Sequence, residues 1–230
     1  MNNNIFVSVL VATKNRPKFT ENILRNFFRQ DYSQNNMELI IGDDGECKME
    51  EILPSIDNIK YLKFENISLG EKRNKLCEEA KGDIIIFMDD DDYYPPDKVS
   101  HYVKELSNSE FELAGSSIMY VYFSKFNVIY KFGPYGKYHS TCGTLAFKKK
   151  YFKNNKFPNV NKAEESVFLK KFRNPLIQIN PYKAILVIAH DSNTVDKYKY
   201  IKHGKKTNLE LDDFKMTNVD KNFYLKLGNF

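Results

Sequence analysis

Cysteine is scarce, with Cys47, Cys77 and Cys142 the three thiols in 230 residues. They are odd in number and far apart, which leaves no zinc-ligand spacing and no disulfide framework, so the thiols are expected to stay reduced. No apolar run reaches the length of a membrane span. Met1-Asn2-Asn3-Asn4 shows no basic stretch leading into an apolar core, so a signal peptide is not expected and cytoplasmic residence is. Internal repeats, low-complexity tracts and a clear linker are absent as well. The lysines are scattered and accompany no nucleic-acid motif, which argues against a nucleic-acid partner.

What remains is an ordinary globular composition, 42% hydrophobic and 28% charged, long enough for one domain or one domain with a small appendage. The net charge of +5 hides an asymmetry: residues 1–115 sum to −8 and residues 116–230 to +13. An acidic half suits a cation and a basic half suits anions, although most single lysines are adequately explained as solvated surface.

The first half alternates strand and helix patterns. Ile5 to Val11 is a β-branched run, broken at Arg16-Pro17, and Phe19, Ile23, Leu24, Phe27 and Phe28 then recur at helical spacing. Further strands are expected at Glu38–Gly42, Lys60–Phe64 and Ile84–Met88, and helices at Met49–Ile56, Leu69–Ala80 and Asp97–Leu106. This order predicts an α/β fold with a mainly parallel sheet flanked by helices. In the second half, Ala114–Phe123 and Asn127–Phe132 read as a hairpin through Ser124-Lys125-Phe126, Thr144–Phe147 and Ala184–Ala189 as strands, and Glu164–Phe172 as a helix. The stretch beyond Asp196 shows weak helical periodicity near its end.

Ligands of parallel sheets bind beyond the carboxyl ends of the strands, and three such ends are polar here: Thr13-Lys14-Asn15-Arg16, Asp43-Asp44-Gly45 and Asp89-Asp90-Asp91-Asp92. Four adjacent carboxylates repel one another unless a cation or hydrogen bonds compensate, and Mg²⁺ or Mn²⁺ shared with substrate phosphates is the usual compensation for hard oxygen ligands. An acidic surface turn is the plainer alternative. An aspartyl phosphatase would carry its cluster after the first strand, whereas this one follows the fourth. Asp44 and Arg73 have ordinary explanations as a turn residue and a helix-surface charge, and gain weight only from their place on the shared edge. Glu164-Glu165 precedes a helix, where acidic residues are favoured anyway; the alternative is a general base beside a substrate hydroxyl. His190 ends an apolar strand, either as a structural histidine or as a metal ligand.

These residues, in this order, resemble the family 2 glycosyltransferases of the GT-A fold. Val7 to Arg16 looks like the family's opening strand and turn, Glu38 to Gly45 like its second strand, Gly70 to Asn74 with Gly82-Asp83 like the segment before the metal strand, and Phe87 to Asp92 like the Asp-x-Asp signature. The resemblance implies a single GT-A domain over residues 1–195, with a nucleotide-binding half (1–110), an acceptor-binding half (111–195) that holds a small second β element, and a tail (196–230) packed on it. It implies a nucleotide-sugar donor, most commonly a UDP-sugar, and inverting transfer to a glycan, protein or lipid-linked acceptor. Thr13 and Asp44 would contact the base, Arg73 would lie beside the nucleotide and Asp90 would face the ribose, with Asn15, Arg16 and Asp89 also in the nucleotide-sugar site. Asp91 would hold Mn²⁺ or Mg²⁺, with His190 as second ligand. Glu165 would be the catalytic base, with Glu164 as the alternative, and Gly143-Thr144 would line the donor-sugar pocket. Two features depart from the family pattern: the acidic pair is Glu-Glu, and the usual acceptor-binding tryptophan is impossible in a chain with no Trp. A sugar-phosphate nucleotidyltransferase is the alternative enzyme, but Thr13-Lys14-Asn15-Arg16-Pro17 is not the Gly-rich phosphate loop it requires. A non-catalytic nucleotide-sugar or anion-binding module is the alternative outside enzymes, though it would be expected to lose the acidic constellation. Oligomeric state is not readable.

Overall fold

A computed structural model describes residues 5–47 and 49–228. The Met1–Asn4 segment, on which the signal-peptide expectation rests, lies outside the described residues. The first half runs β1 (Val7–Thr13), α1 (Thr20–Phe28), β2 (Met37–Asp43), β3 (Ile59–Lys63), α2 (Leu69–Glu79), β4 (Ile84–Phe87) and α3 (Lys98–Ser107). The second half runs β5 (Leu113–Gly115), β6 (Met119–Phe123), β7 (Val128–Phe132), β8 (Ala146–Lys148), α4 (Lys149–Phe152), α5 (Glu164–Phe168), β9 (Ile177–Gln178), β10 (Leu186–Ala189), β11 (Lys205–Lys206) and α6 (Asn218–Lys226).

Seven strands form one sheet in the order β3-β2-β1-β4-β8-β5-β9, and four form a second in the order β10-β6-β7-β11. β1 to β4 are mutually parallel, and β8 is the antiparallel insertion between β4 and β5. Strand period 2 sets the layers. Val9, Leu39 and Ile86 face a core that contains Ile23 and Phe27 of α1 and Val99 and Val103 of α3. Leu10, Ile40 and Ile85 face the opposite core with Leu76 and Cys77 of α2. Strand order reverses between β1 and β4, so the crevice at their carboxyl ends is where a ligand belongs. Among the described residues no helix is long and apolar enough to cross a membrane, and the three cysteines are free.

Three expected elements differ. Ala114–Phe123 is not one strand. Ser117 N donates to Gln178 Oε1 (2.8 Å) and Ser116 Oγ to Ile118 O (2.7 Å), and this turn carries the chain from one sheet to the other. The helix expected over Met49–Ile56 is a 3₁₀ turn, Met49–Ile52. The helix expected to reach Phe172 ends at Phe168, because Lys170, Lys171 and Phe172 all have positive φ.

The last segment is tied to the sheet edge from two sides. Lys205 and Lys206 extend the second sheet beside β7. On α6, buried Asp220 caps its own helix with Thr217 and pairs with Arg25 of α1 and with Arg29 just past its end. Tyr224 is fully buried, its hydroxyl 2.7 Å from Asn22 Oδ1 and 3.0 Å from Asp92 O, so its one proton is shared between them. Tyr224→Phe keeps the ring and removes both contacts. It is expected to lower unfolding free energy in urea by about 1–2 kcal/mol, the cost of leaving a buried acceptor short of a donor; an unchanged midpoint would show that these contacts carry no net stability.

Candidate active site

The loop after β4 is bound by its backbone before its side chains do anything. Asn22 Nδ2 donates to Asp90 O (2.9 Å) and Asp92 O (3.0 Å), and Asn26 Nδ2 donates to Asp92 O (2.9 Å). One residue on, Tyr93 pairs with Leu186 through both backbone groups, which joins the loop to β10. Asp92 itself accepts from Ile188 N (2.7 Å) and faces Lys197 Nζ at 3.7 Å. Asn22 and Asn26 went unread in the sequence. Two polar residues four apart on an otherwise apolar helix face were the available signal.

The four carboxylates therefore have different fates. Asp89 is the most open, with 34% side-chain exposure, 3.7 Å from Arg73 Nη2. Asp90 is buried and accepts from Thr13 Oγ1 (2.6 Å) and Arg16 Nη1 (2.5 Å); burial and then the charge of Asp91 push it up to about 7. Asp92 is pushed up to about 8, by burial above all, against the pull of Lys197. Burial alone would raise Asp91 too, but Lys197, His190 and Arg16 outweigh it and hold Asp91 well below the usual carboxylate range. Asp91 Oδ2 receives Arg16 (2.8 Å), His190 Nε2 (3.2 Å) and Asn193 Nδ2 (3.0 Å), while Oδ1 has no hydrogen-bond partner among the described residues. The loop thus offers one firmly ionised carboxylate with a free oxygen.

A cavity of about 640 Å³ opens on this loop. Its wall brings together Arg16, Arg73, Asp89, Asp90, Asp91, Gly143, Glu164 and Glu165. Thr13, Asn15, Asp44, Thr144 and His190 lie behind or beside it. Asn15, at φ 55°, accepts from Glu46 N (2.6 Å) and Cys47 N (3.2 Å) and shapes the turn opposite Gly45. Asp44 has its oxygens taken by Lys14 (2.9 Å) and by buried Lys72. Thr144 is fully buried among Ser116, Ser140 and Thr141 beneath Gly143. The two glutamates also separate. Glu164 is buried and accepts from Arg73 Nε at 2.8 Å. Glu165 makes no ion pair among the described residues, and burial, then the charge of Glu164, raises its pKa.

A carboxylate oxygen and an imidazole fit a hard divalent cation. Asp91 supplies the oxygen directly. His190 Nε2 lies 3.2 Å from Asp91 Oδ2 and 3.0 Å from Asn193 Nδ2, while Nδ1 lies 3.2 Å from Ser192 N; the ring stands beside that carboxylate and would ligate through Nε2 in the tautomer that carries its proton on Nδ1.

Lys98 also escaped notice in the sequence. Fully buried, it donates from Nζ to Gly143 O (2.8 Å) and Ala184 O (3.1 Å) with the Tyr94 and Tyr102 rings beside it. Tyr94 OH in turn accepts from Asp89 N (2.6 Å). One side chain therefore ties the Gly143 loop, the start of β10 and the acidic loop together. Burial pushes Lys98 down to about 7, against Asp89 and Asp92, from 10.5. Between those values the unfolded chain holds a proton that the folded one does not, so folding gains stability as pH rises through that window and loses it as pH falls toward 7. The difference in unfolding free energy between the native protein and Lys98→Met is expected to change in the native protein's favour from pH 7 to pH 9. Urea titrations at both pH values check this, and a pH-independent difference would contradict it.

Compared with family models, residues 8–167 match that described as "Glycosyl transferase family 2". Among curated proteins, the chain is 35% identical over 96 residues to EpsH of Bacillus subtilis, covering 40% of this chain and 27% of that protein. It is 30% identical over 94 residues to the poly(ribitol-phosphate) beta-N-acetylglucosaminyltransferase TarS of Staphylococcus aureus, covering 37% of this chain and 16% of that protein. The matches thus span 27% and 16% of these relatives' own lengths. Two solved structures share the fold: TarS 1–349 with UDP-GlcNAc (TM-score 0.65, 16% identity, 98% of this chain and 72% of that one) and the mannosyltransferase PcManGT of Pyrobaculum calidifontis with GDP-Man and Mn²⁺ (TM-score 0.65, 18% identity, 98% and 71%).

Proposed function

The chain belongs to glycosyl transferase family 2, and from that premise we propose that it is a divalent-metal-dependent inverting transferase that moves a sugar from a UDP-sugar to an acceptor hydroxyl. The observation that carries this reading is one cavity with two unlike carboxylates on its wall. Asp91 is ionised with one oxygen free among the described residues, whereas Glu165 makes no ion pair among them and is raised in pKa. The first suits a cation on a diphosphate, the second a proton from a hydroxyl.

Asp91 and His190 would hold Mn²⁺ or Mg²⁺, which when bound supplies positive charge against the diphosphate. Arg16 spans Asp90 and Asp91 and offers a guanidinium to the same phosphates. Asp89 and Gly143 would form one side of the donor-sugar pocket, packed together so closely that a Cβ on Gly143 would come within 2.9 Å of Asp89 Oδ2. Asp90 would face the ribose, with Thr13 behind it. Arg73 would lie beside the nucleotide while holding Glu164. Glu165 takes the acceptor hydroxyl proton as that oxygen forms its bond to the anomeric carbon. The bond from that carbon to the diphosphate oxygen breaks on the opposite face, and UDP leaves with the electron pair. The supply of both reactants in one cavity provides much of the remaining rate. Glu164 is the poorer base because its carboxylate is already neutralised by Arg73.

Incubation with a panel of labelled UDP-sugars and Mn²⁺ tests the reading; failure of every donor to bind would overturn it. Asp91→Ala is expected to raise the Kd for UDP in Mn²⁺ by about tenfold or more, the loss of one charged contact, and chelation of the metal should bring the unmodified protein to the same weak affinity. Equal affinity with and without metal would contradict the metal assignment. Glu165→Gln should keep donor binding and lose about 10²–10⁴-fold in transfer. Because the base acts deprotonated and its pKa is raised, the acid limb of kcat/KM should fall above the usual glutamate range and vanish in that variant.

A further inference from the structure

The cavity wall holds a thiol that the donor chemistry leaves unused. Cys142 begins a 3₁₀ turn, Cys142–Thr144, is 6% exposed and lines the cavity. Glu164 and Glu165 open α5 behind Ala163, whose φ of 55° turns the chain there. The Cys142 sulfur and one carboxylate oxygen from each glutamate all lie within 4.8 Å of one another. Sulfur and carboxylates come from different elements, so spacing along the chain shows no zinc motif.

A tetrahedral ion with bonds of about 2.3 Å to sulfur and 2.0–2.2 Å to oxygen keeps its ligands about 3.4–3.6 Å apart. The three atoms therefore need to close by only about 1 Å. The turn is already fixed, with Leu145 N donating to Cys142 O (2.9 Å) and Lys98 Nζ to Gly143 O (2.8 Å). Glu164 spends Oε1 on Arg73 Nε (2.8 Å) and keeps a second oxygen that accepts no hydrogen bond among the described residues.

An independent observation comes from Arg73. Its Nη1 is buried with no hydrogen-bond partner among the described residues. Burial works against the charge of this guanidinium, and Cys142 comes first among the anionic neighbours that support it, ahead of Asp89 and Glu164. Burial keeps the Cys142 thiol protonated, and a neutral S–H is a weak acceptor. The orphaned donor thus stands beside a sulfur that would satisfy it once the proton is gone. A metal ion removes that proton, since a coordinating thiol is deprotonated outright. One thiolate and two carboxylates would then be balanced by a divalent ion together with Arg73. Sulfur in the set selects Zn²⁺ or Cd²⁺ over Mg²⁺ and Mn²⁺, which prefer oxygen.

We infer that Cys142, Glu164 and Glu165 form a second metal site in the cavity, one that takes a thiophilic divalent cation such as Zn²⁺ and ties up Glu165 when filled. The site rests on its own geometry; its consequence, that zinc stops transfer, rests on the reading of Glu165 as the base. On binding, the S–H bond breaks, its electron pair forms the sulfur–metal bond and the proton passes to solvent. A water completes the set.

Co²⁺ is the probe, because thiolate-to-cobalt charge transfer in the near ultraviolet reports sulfur ligation and is silent for ions held by Asp91 and His190. The unmodified protein should develop this band saturably at about one cobalt per chain, and Zn²⁺ should bleach it. Cys142→Ser should lose the band and Cys47→Ser should keep it. Glu165→Gln, which leaves the sulfur in place, should keep the band with a cobalt Kd raised by about tenfold or more, since even partners one layer out from a metal are worth that much. No sulfur band in the unmodified protein, a band that survives Cys142→Ser, or an unchanged Kd in Glu165→Gln would overturn the inference. Transfer is assayed separately with Mn²⁺ saturating. Zinc inhibition should weaken by about tenfold or more in Cys142→Ser. If cobalt binds as described but Glu165→Gln still transfers, the site stands and the base assignment falls; if transfer depends on Glu165 but the band never forms, only the second site falls.

Discussion

Four carboxylates in succession at the end of a buried strand impose the constraint that organises this molecule. Each would repel the others, and three of them are buried. The fold answers with backbone and counter-charge rather than solvent. Asn22, Asn26 and Tyr224 hold the loop's carbonyls, Ile188 N caps Asp92, and Arg16, His190 and Lys197 crowd around Asp91. These partners come from α1, α6, β10 and the segment after it, so most of the tertiary structure converges on this loop. Protonation supplies the rest of the relief, since Asp90 and Asp92 are both pushed up to near neutrality while Asp91 stays charged.

The same sorting appears at the glutamate pair. Adjacent residues of identical chemistry are given different surroundings. Arg73 takes Glu164 at 2.8 Å and leaves Glu165 in a partly desolvated place that raises its pKa. A carboxylate without a counter-ion in low dielectric takes a proton more readily. The distinction between acid as scaffold and acid as reagent is thus made by neighbours, not by residue type.

Much of this was legible in the chain. The continuous apolar runs of β1, β2 and β4 and the 3.6-residue spacing in α1 are local, and the polar strand ends mark the sheet edge that the cavity opens on. What was not legible depends on partners distant in sequence. The resemblance puts Asp44 at the base, and nothing adjacent in sequence predicts that Lys72, on a different element, reaches it. Tyr224 and Asp220 look like ordinary residues of a weakly amphipathic helix, yet they meet residues about 130 to 200 positions earlier. The break in Ala114–Phe123 and the early end of α5 are set by a side-chain bond from Gln178 and by three left-handed residues, neither of which hydrophobic periodicity reports.

Lys98 shows what such distant partners are for. A buried ammonium with no carboxylate in contact is costly, and two carbonyls with two ring faces offset only part of that cost. A methionine of similar length would fill the space without any charge. What methionine lacks is the ability to hold Gly143 O and Ala184 O at the same point while packing on the tyrosine that receives Asp89 N. The three segments it joins belong to the acidic loop, the cavity wall and the second sheet. Destabilising groups concentrated at such a junction are consistent with stability yielded for a cavity whose walls are fixed before any ligand arrives. On this view the acidic loop and Lys98 form one device. The loop needs rigid surroundings to keep its charges apart, and the buried lysine supplies that rigidity where hydrophobic packing alone has no directional hold.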